Sequence, residues 1–485
     1  MNLITNTFFM GISGVLVRVF SLGLIIVMSR IFGPSGLGVY YFAFSFLGMM
    51  LQFSDFGLSQ FFVREISADK KKSLEHLRTL LTFKFILALL FLLVAFLSIT
   101  FFIDALEIRI TVYLLAGGCF IQLIFGAFGS FMQAYERMEY VSFMMVAERL
   151  LTVVLTLIFI TSIPSTISIG VAFLLSQLLI ALIWLFIIRK KMSISWAMLN
   201  FQFGRIKTII PTLRHSIPFW LSGVFTTIST RSDMIFLQKI RGSAQAGIFG
   251  PGRTMIDTFY FILNSVSVSA YPVFSRMHNS NRDEAKKIYN SLVKYLLLIV
   301  VFIALGVMTL SEQVVQWFLG PAFSQTAIIL KIMIWAEVFI FVGEFSGVLL
   351  NAIHRQSSYA VAEMSGTVTN LILISFMIPL FGILGAAYAA VITEFVVLFV
   401  ALLAIFRNGY SFNFANPAKI GIIALISSIP LFLFPPLVAI FLIAFLYIAL
   451  AFMTKCINIG ELRYLMSIRA QSLKSLTSGT QTDAK

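Results

Sequence analysis

Charged residues are scarce in this sequence. Asp, Glu, Lys and Arg together make up 11% of its 485 residues, against about 25% in a typical soluble domain. Hydrophobic residues account for 59% of the chain, and Phe alone for 52 residues. A soluble protein has too little interior to bury this much apolar surface, whereas a bilayer accepts it in spans of about 20 residues. The composition therefore excludes a soluble domain and predicts an integral membrane protein.

Cysteine is rare, and nucleotide-binding motifs are missing. The two cysteines, Cys119 and Cys456, lie in or beside apolar segments, and their spacing suits neither a metal site nor a disulfide framework. Without a Walker motif or another nucleotide-binding pattern, we predict no metal, no cofactor and no ATP-driven step. The first apolar segment lacks a basic region before it and a small-residue cleavage site after it, which indicates a retained helix instead of a signal peptide.

Apolar runs, separated by charged residues or by Gly and Pro, predict an all-α polytopic membrane protein with about fourteen transmembrane helices. The predicted spans are 8–29, 38–62, 80–103, 110–133, 143–162, 167–188, 215–238, 246–272, 291–311, 326–351, 359–380, 383–406, 418–434 and 437–454.

The distribution of Lys and Arg predicts the orientation, because positively charged loops stay on the cytoplasmic side. If the N-terminus is cytoplasmic, 24 of the 35 Lys and Arg residues fall in cytoplasmic segments, four in outer loops and seven within spans. We therefore expect a multi-pass protein of the cell membrane with both termini in the cytoplasm. The net charge of +15 follows from this topology, so it does not predict nucleic-acid binding.

An internal repeat emerges when the chain is aligned with itself at an offset of 209 residues. The matches pair Ser13-Gly14-Val15 with Ser222-Gly223-Val224, Gly33 with Gly242 and Gly38 with Gly247. Six spans per half give both halves the same orientation, related by an axis along the membrane normal with a site between them, as in several transporter folds.

The repeat predicts four parts of the chain. These are an N-terminal lobe at 1–205, a C-terminal lobe at 206–410, two additional helices at 411–456 and a partly disordered cytoplasmic tail at 457–485.

Polar residues recur at helical spacing within the spans. Ser222, Thr226 and Asp233 share a face of span 7, and Tyr260 and Asn264 share a face of span 8. A charge at the centre of a membrane helix costs roughly 2.5–3.5 kcal/mol on insertion scales. Such faces on several helices therefore predict a hydrated central cavity, lined in part by these residues.

Arginines within the spans are the candidate substrate-binding residues: Arg18, Arg149, Arg231 and Arg253. The planar guanidinium group binds phosphate through two hydrogen bonds, so a cavity with these residues suits a pyrophosphate. Local pairing is the alternative, of Arg253 with Asp257 or of Arg149 with Glu148.

Carboxylates within the spans are the candidate coupling residues for H⁺ or Na⁺: Asp55, Asp233, Asp257, Glu337, Glu344, Glu363 and Glu394. Each of them alternatively serves packing or a salt bridge. Three lysines near span ends, Lys84, Lys294 and Lys331, are expected to reach the membrane interface with their ammonium groups.

The segment Ser29–Ser67 carries a Gly-Pro-x-Gly-x-Gly-x-Tyr turn after span 1 and an Asp-Phe-Gly-Leu then Arg-Glu pattern in span 2. It closely resembles the polysaccharide transporter family, the O-antigen and related flippases of the multidrug/oligosaccharidyl-lipid/polysaccharide exporter superfamily. The segment from Asp233 through RGSAQAGIFGPGR to Arg276 is similar to the same family, and the resemblance covers most of residues 1–410.

This resemblance implies a two-lobed protein that works by alternating access. Its cargo would be a polyprenyl-diphosphate-linked oligosaccharide, flipped from the cytoplasmic to the outer leaflet alongside other membrane proteins of polysaccharide assembly. A multidrug/cation antiporter of the same superfamily and a lipid II-type flippase are the alternatives. A polytopic glycosyltransferase is disfavoured, because the outer loops are short and their acids are limited to Asp104, Glu107 and Glu312.

Overall fold

The computed structural model describes residues 3–162, 164–192, 209–458, 460–461 and 463–464. This part of the chain contains sixteen α-helices and no β-strand, which confirms the predicted all-α polytopic fold. The predicted lobe boundary near residue 205 and most of the predicted tail lie outside the described residues, so the division into lobes stays a prediction.

The described residues form two compact units, one ending at Gly250 and one starting at Pro251. The helices of the first unit are α1 (Leu3–Asp55), α2 (Leu58–Ala68), α3 (Ser73–Phe102), α4 (Leu106–Ala134), α5 (Met138–Ser162), α6 (Thr166–Met192), α7 (Ile209–Arg241) and the beginning of α8 (Ser243–Asp257). The second unit continues with α9 (Tyr260–Ser280), α10 (Arg282–Phe318), α11 (Ser324–Ala352), α12 (Gln356–Phe381), α13 (Ile383–Arg407), α14 (Ala415–Ser427), α15 (Pro430–Leu433) and α16 (Pro436–Met453).

Within the described residues, eleven helical segments are long and apolar enough to cross a membrane. Predicted span 1 and most of predicted span 2 lie in α1, whose apolar segment has 47 residues and contains a kink at Gly33. At about 1.5 Å per residue, this length exceeds twice the ~30 Å thickness of a hydrocarbon core. Predicted span 7 corresponds to α7, which is more polar, and predicted span 8 is divided between α8 and α9. Spans 1 and 2 thus count as one apolar segment, and spans 7 and 8 are not counted, which explains why fourteen predicted spans correspond to eleven apolar segments.

Two backbone distortions occur along the first two predicted spans, one between them and one within the second. Gly33 has a left-handed φ of 62° and is followed by Pro34, which cannot donate a backbone hydrogen bond, so α1 kinks there. Phe56, with φ 48°, and Gly57, with φ 72°, separate α1 from α2. A positive φ is rare for a bulky side chain, and the Phe56 ring stacks on Trp220 of α7 with centroids 5.1 Å apart.

The backbone repeats itself where the sequence predicts equivalent positions. Gly33 and Gly242 both have a positive φ, 62° and 83°. Glu136, between α4 and α5, and His354, between α11 and α12, also have positive φ values, 57° and 60°, although the offset of 209 residues does not align them. The predicted repeat is therefore matched in backbone geometry at Gly33 and Gly242.

Gly38 of α1 and Gly247 of α8, equivalent in the repeat, contact each other inside the first unit. A Cβ at Gly38 would lie 1.7 Å from the carbonyl oxygen of Ser243, and a Cβ at Gly247 would lie 1.8 Å from that of Pro34. Each glycine lies against the backbone of the other helix, so no side chain fits at either position. Such a reciprocal contact is the kind that equivalent residues form near a local two-fold axis.

Large apolar side chains cover much of the surface of both units. Phe101 is 82% exposed, Phe186 63%, Phe376 68% and Phe441 76%. Exposed patches of this extent are unstable in water and are satisfied by lipid. The protein is therefore a multi-pass membrane protein.

We expect G38A and G247A to destabilise the protein, because a methyl group at either position overlaps backbone atoms of the opposing helix. Overpacking of this kind costs about 1–3 kcal/mol. The measurement is the thermal unfolding midpoint of the protein in detergent. G14A is the matched control, since a Cβ at Gly14 has no atom within 4 Å. Equal unfolding midpoints for G14A, G38A and G247A would contradict the contact between the two glycines.

Candidate functional site

A cavity of about 320 Å³ lies among α1, α4, α5, α6 and α7 of the first unit. Its volume is at the lower end of the range of roughly 300–1,000 Å³ for small-ligand pockets. The lining residues are Val17, Phe44, Leu47, Gly48, Leu51, Cys119, Gln122, Met145, Glu148, Arg149, Thr152, Phe173 and Arg231. We call this space the first-unit cavity. It brings together two of the four predicted arginines, Arg149 and Arg231, with one carboxylate.

Arg231 extends from α7 to α1. Its Nη1 donates a hydrogen bond to the carbonyl oxygen of Phe44 at 3.0 Å. Its guanidinium group lies where Gly48 has no side chain, because a Cβ at Gly48 would be 2.6 Å from the guanidinium carbon. A small residue at position 48 is therefore what allows the cation to lie along α1 inside the membrane region.

Arg149 and Glu148 are neighbours on α5, but the hydrogen bonds of their side chains go to other helices. Nε of Arg149 donates to the Ser21 hydroxyl of α1 at 2.6 Å. Oε1 of Glu148 accepts from the side-chain amides of Gln122 at 3.2 Å and Gln177 at 2.8 Å. Two amide side chains, one on α4 and one on α6, therefore hold this carboxylate in one orientation.

The remaining predicted arginines lie elsewhere. Arg18 is a half-buried residue of α1 that does not line the first-unit cavity. Nε of Arg253 pairs with Asp257 at 3.1 Å, which confirms the local pairing considered as an alternative for this residue.

Asp55 takes part in an ion pair between helices. The ammonium group of Lys84 lies 3.1 Å from Oδ1 of Asp55 and donates to the hydroxyl of Ser59 at 2.8 Å. Asp55 also accepts from the hydroxyl and the backbone N–H of Ser59, next to the break between α1 and α2. The side chain of Lys84 is only 5% exposed, so its predicted location at the membrane interface is wrong: its ammonium group is bound inside the protein.

The predicted location of Lys294 at the membrane interface is also wrong. Its side chain is 8% exposed and pairs with Glu461, beyond the end of α16. Lys331 instead pairs with Glu312 at 2.6 Å and keeps 34% of its side chain exposed.

A carboxylate cluster lies in the second unit. Its members are Glu337 and Glu344 of α11, Glu363 of α12 and Glu394 of α13. The hydroxyl of Tyr260 donates to Oε2 of Glu344 at 2.6 Å, and Tyr359 forms a side-chain hydrogen bond with Glu363.

Glu337 is the most buried member of this cluster, with 2% of its surface exposed. Within the described residues its Oε2 has no hydrogen-bond partner. Arg253, Asp257 and Glu344 lie within electrostatic reach of it. A buried carboxylate oxygen without a partner is costly, and it is the most suitable atom in this cluster to hold a proton or a cation.

The other predicted residues are placed as follows. Asp233 of α7 is buried, whereas Thr226 of α7, Asp257 of α8 and Asn264 of α9 are exposed. The side chain of Ser222 lies outside the described residues.

Sequence reasoning missed the partners of Glu148. Gln122 and Gln177 are isolated amides within apolar helices, where a polar side chain is rare and usually bonded to another helix. That rarity was the available signal, but it does not say which carboxylate the amides hold.

Three similarities to known proteins come from the sequence. A family model described as "Polysaccharide biosynthesis protein" matches residues 3–278. An uncharacterized membrane protein of Methanocaldococcus jannaschii is 23% identical over 381 residues, which cover 74% of this chain and 75% of that protein. The capsular polysaccharide biosynthesis protein CapF of Staphylococcus aureus is 25% identical over 187 residues, 38% of this chain and 46% of CapF.

Solved structures share the fold. Lipid II flippase MurJ, in an inward closed conformation, superposes with a TM-score of 0.76 at 18% identity, over 92% of this chain and 99% of MurJ. An inward-facing multidrug resistance MATE family transporter of the MOP superfamily gives a TM-score of 0.66 at 17% identity, over 81% of this chain and 94% of that chain. At these identities the likeness concerns the fold alone.

We expect D55A to lower the free energy of unfolding by about 3–5 kcal/mol, because it leaves the Lys84 ammonium buried without its counter-charge. The double variant D55N/K84M should recover most of this loss. E312A removes the partner of the more exposed Lys331 and should cost less than about 1 kcal/mol. Thermal unfolding of the wild type and of the three variants measures these losses, and a double variant no more stable than D55A would contradict the pairing.

Proposed function

Because the chain belongs to the polysaccharide biosynthesis protein family, we propose that it flips a polyprenyl-diphosphate-linked oligosaccharide from the cytoplasmic to the outer leaflet of the cell membrane by alternating access. The family match over residues 3–278 confirms the resemblance carried by residues 29–67. The protein is a multi-pass membrane protein with a flippase and transporter fold. Its cargo, direction and energy source are what we propose.

Two guanidinium groups in one membrane-embedded cavity are the observation that carries the proposal. Arg149 from α5 and Arg231 from α7 both line the first-unit cavity. A diphosphate loses its hydration when it enters the membrane, and charge-assisted hydrogen bonds from arginine replace that hydration. The lipid tail remains in the bilayer during transfer.

The other arginines have lesser parts in this proposal. Arg18 precedes Ser21, the partner of Arg149, by three residues on α1 but does not line the first-unit cavity, so we assign it no contact with the diphosphate. Arg253 is engaged by Asp257, so we assign it to the organisation of α8 and not to the main phosphate contact.

The orientation rests on the charge of the loops. The 24 Lys and Arg residues on one side against four on the other support cytoplasmic termini in a cell membrane. The cargo is then loaded on the side where its sugars are assembled from cytoplasmic precursors.

Coupling to an H⁺ or Na⁺ gradient is assigned to the second unit. Glu337, Glu344 and Glu363 belong to the carboxylate cluster, in which Oε2 of Glu337 is unpartnered among the described residues. Asp55 and Asp257 are less suitable, because each is neutralised by a nearby cation.

The acidic residues of the predicted outer loops favour a transport role over an enzymatic one, because each has a partner within the protein. Asp104 pairs with Arg109 at 3.6 Å, Glu107 accepts hydrogen bonds from Ser165 and Thr166, and Glu312 pairs with Lys331. All three therefore have structural partners and do not form a catalytic group.

A multidrug/cation antiporter is the second candidate, favoured by the glutamate cluster of the second unit. A carboxylate-lined site suits an organic cation, whereas the arginines of the first-unit cavity suit an anion. The two functions differ in the cargo that moves, so transport assays separate them.

We expect proteoliposomes with the wild-type protein to translocate lipid-linked oligosaccharides, and R231A to reduce the rate at least tenfold. Removing a hydrogen bond to a charged group costs about 1.5–3 kcal/mol, which is tenfold or more. R64A, which removes an exposed cation paired with Glu65, is the matched control and should retain wild-type transport. Export of an organic cation without movement of any lipid-linked sugar would establish the antiporter instead.

We expect E337Q to uncouple transport from the ion gradient. Glutamine keeps the shape of the side chain but neither takes up a proton nor balances a cation, so downhill flipping should persist while accumulation against a cargo gradient is lost. The measurement compares accumulation with and without an imposed proton or sodium gradient. E65Q, on the exposed surface of α2, is the control. Gradient-driven accumulation by E337Q equal to that of the wild type would remove Glu337 from coupling.

A further inference from the structure

The first-unit cavity contains one group that a diphosphate site does not need. Glu148 lies beside Arg149 and lines the same cavity as Arg231. A carboxylate repels phosphate, and an ionised carboxylate within a membrane span is costly unless it serves a function or has a partner. A site for a diphosphate alone would be stronger without it.

The carboxylate of Glu148 is fixed through one oxygen, which leaves the other oxygen as a hydrogen-bond acceptor for a ligand. Oε1 accepts hydrogen bonds from the amides of Gln122 of α4 and Gln177 of α6. In the described part of the chain, Oε2 forms no hydrogen bond. One oxygen thus fixes the group and the other is available to the cavity.

Aromatic rings form the neighbouring wall. Phe44 and Phe173 both line the cavity, and their rings pack edge to face with centroids 5.4 Å apart. A pyranose presents hydroxyl groups around its rim and C–H groups on its face. A carboxylate accepts short, strong hydrogen bonds from hydroxyls, while aromatic rings provide apolar area for the C–H face.

We propose that Glu148, positioned by Gln122 and Gln177, is a sugar-binding residue that accepts hydrogen bonds from the hydroxyl groups of the saccharide next to the diphosphate. Arg149 and Arg231 bind the diphosphate, and Glu148 binds the adjacent sugar in the same cavity. This inference rests on the proposed function, because it requires a lipid-linked saccharide as the cargo. It makes the first-unit cavity a site that selects the cargo as well as holding it.

If Glu148 binds the sugar and not the diphosphate, E148Q should have opposite effects on the affinities for the bare and the sugar-bearing lipid. Removing the negative charge eliminates repulsion of the diphosphate, so undecaprenyl diphosphate without sugar should bind as well or better. Glutamine accepts hydroxyls more weakly than a carboxylate, so the additional affinity for the sugar-bearing lipid should fall at least tenfold. E148D keeps the charge but retracts the oxygens by one methylene. It should lose sugar affinity with no gain for the bare diphosphate.

The experiment measures binding to the full chain in lipid nanodiscs. The probes are undecaprenyl diphosphate and a series of undecaprenyl-diphosphate sugars whose first residue is a neutral hexose, an N-acetylhexosamine or a hexuronic acid. For each protein, the ratio of affinities for sugar-bearing and bare lipid is compared. Retained binding of the bare lipid shows that a variant is folded, and E65Q is the control for a Glu-to-Gln change outside the cavity.

Different results overturn different claims. If the wild type binds no diphosphate lipid, the proposed function fails and this inference fails with it. If the wild type binds these lipids and E148Q keeps the wild-type affinity ratio for every sugar, only the sugar role fails. If E148Q keeps the ratio and instead loses gradient dependence in liposomes, Glu148 belongs to ion coupling and the sugar role is likewise overturned.

Discussion

An ionised side chain within a bilayer needs a partner or water, and this requirement organises the described structure. Lys84 is bound by Asp55, Arg253 by Asp257 and Lys294 by Glu461. These pairs connect helices or stabilise a helix locally, and each neutralises its charge. Arg149 and Arg231 line a cavity, where they donate hydrogen bonds to the Ser21 hydroxyl and to the carbonyl oxygen of Phe44. Under the proposed function, these two cavity charges bind cargo, whereas the ion pairs are structural.

The first and second units differ in their charges. Both contain a turn with a positive φ between two long helices, at Glu136 in the first unit and at His354 in the second. The first unit has arginines and a single glutamate around its cavity, while the second unit has several glutamates in a cluster. Under the proposed function, binding of an anionic lipid and coupling to a cation are thereby assigned to different units.

Much of the fold follows from composition and periodicity, since lipid-facing helices need long apolar runs and the repeat has glycines at its turns. The site follows only in part. Arg149 and Arg231 were found because a cation in an apolar run stands out. Glu148 was considered only as a partner for Arg149, because its real partners, Gln122 and Gln177, lie on other helices and no helical period relates them to it. Lys84 was misplaced for the same reason: its distance from a span end suggested the interface, whereas the tertiary fold brings Asp55 to its ammonium group.

The contact between Gly38 and Gly247 restricts which residues these positions can hold. The two helices touch through their backbones there, and about one turn further along α8 a Cβ at Gly250 would lie 2.2 Å from the ring of Tyr41 of α1. The crossing of α1 and α8 therefore depends on three glycines, and it lies next to the kink at Gly33. Larger residues at these positions would displace α1 at the point where it changes direction.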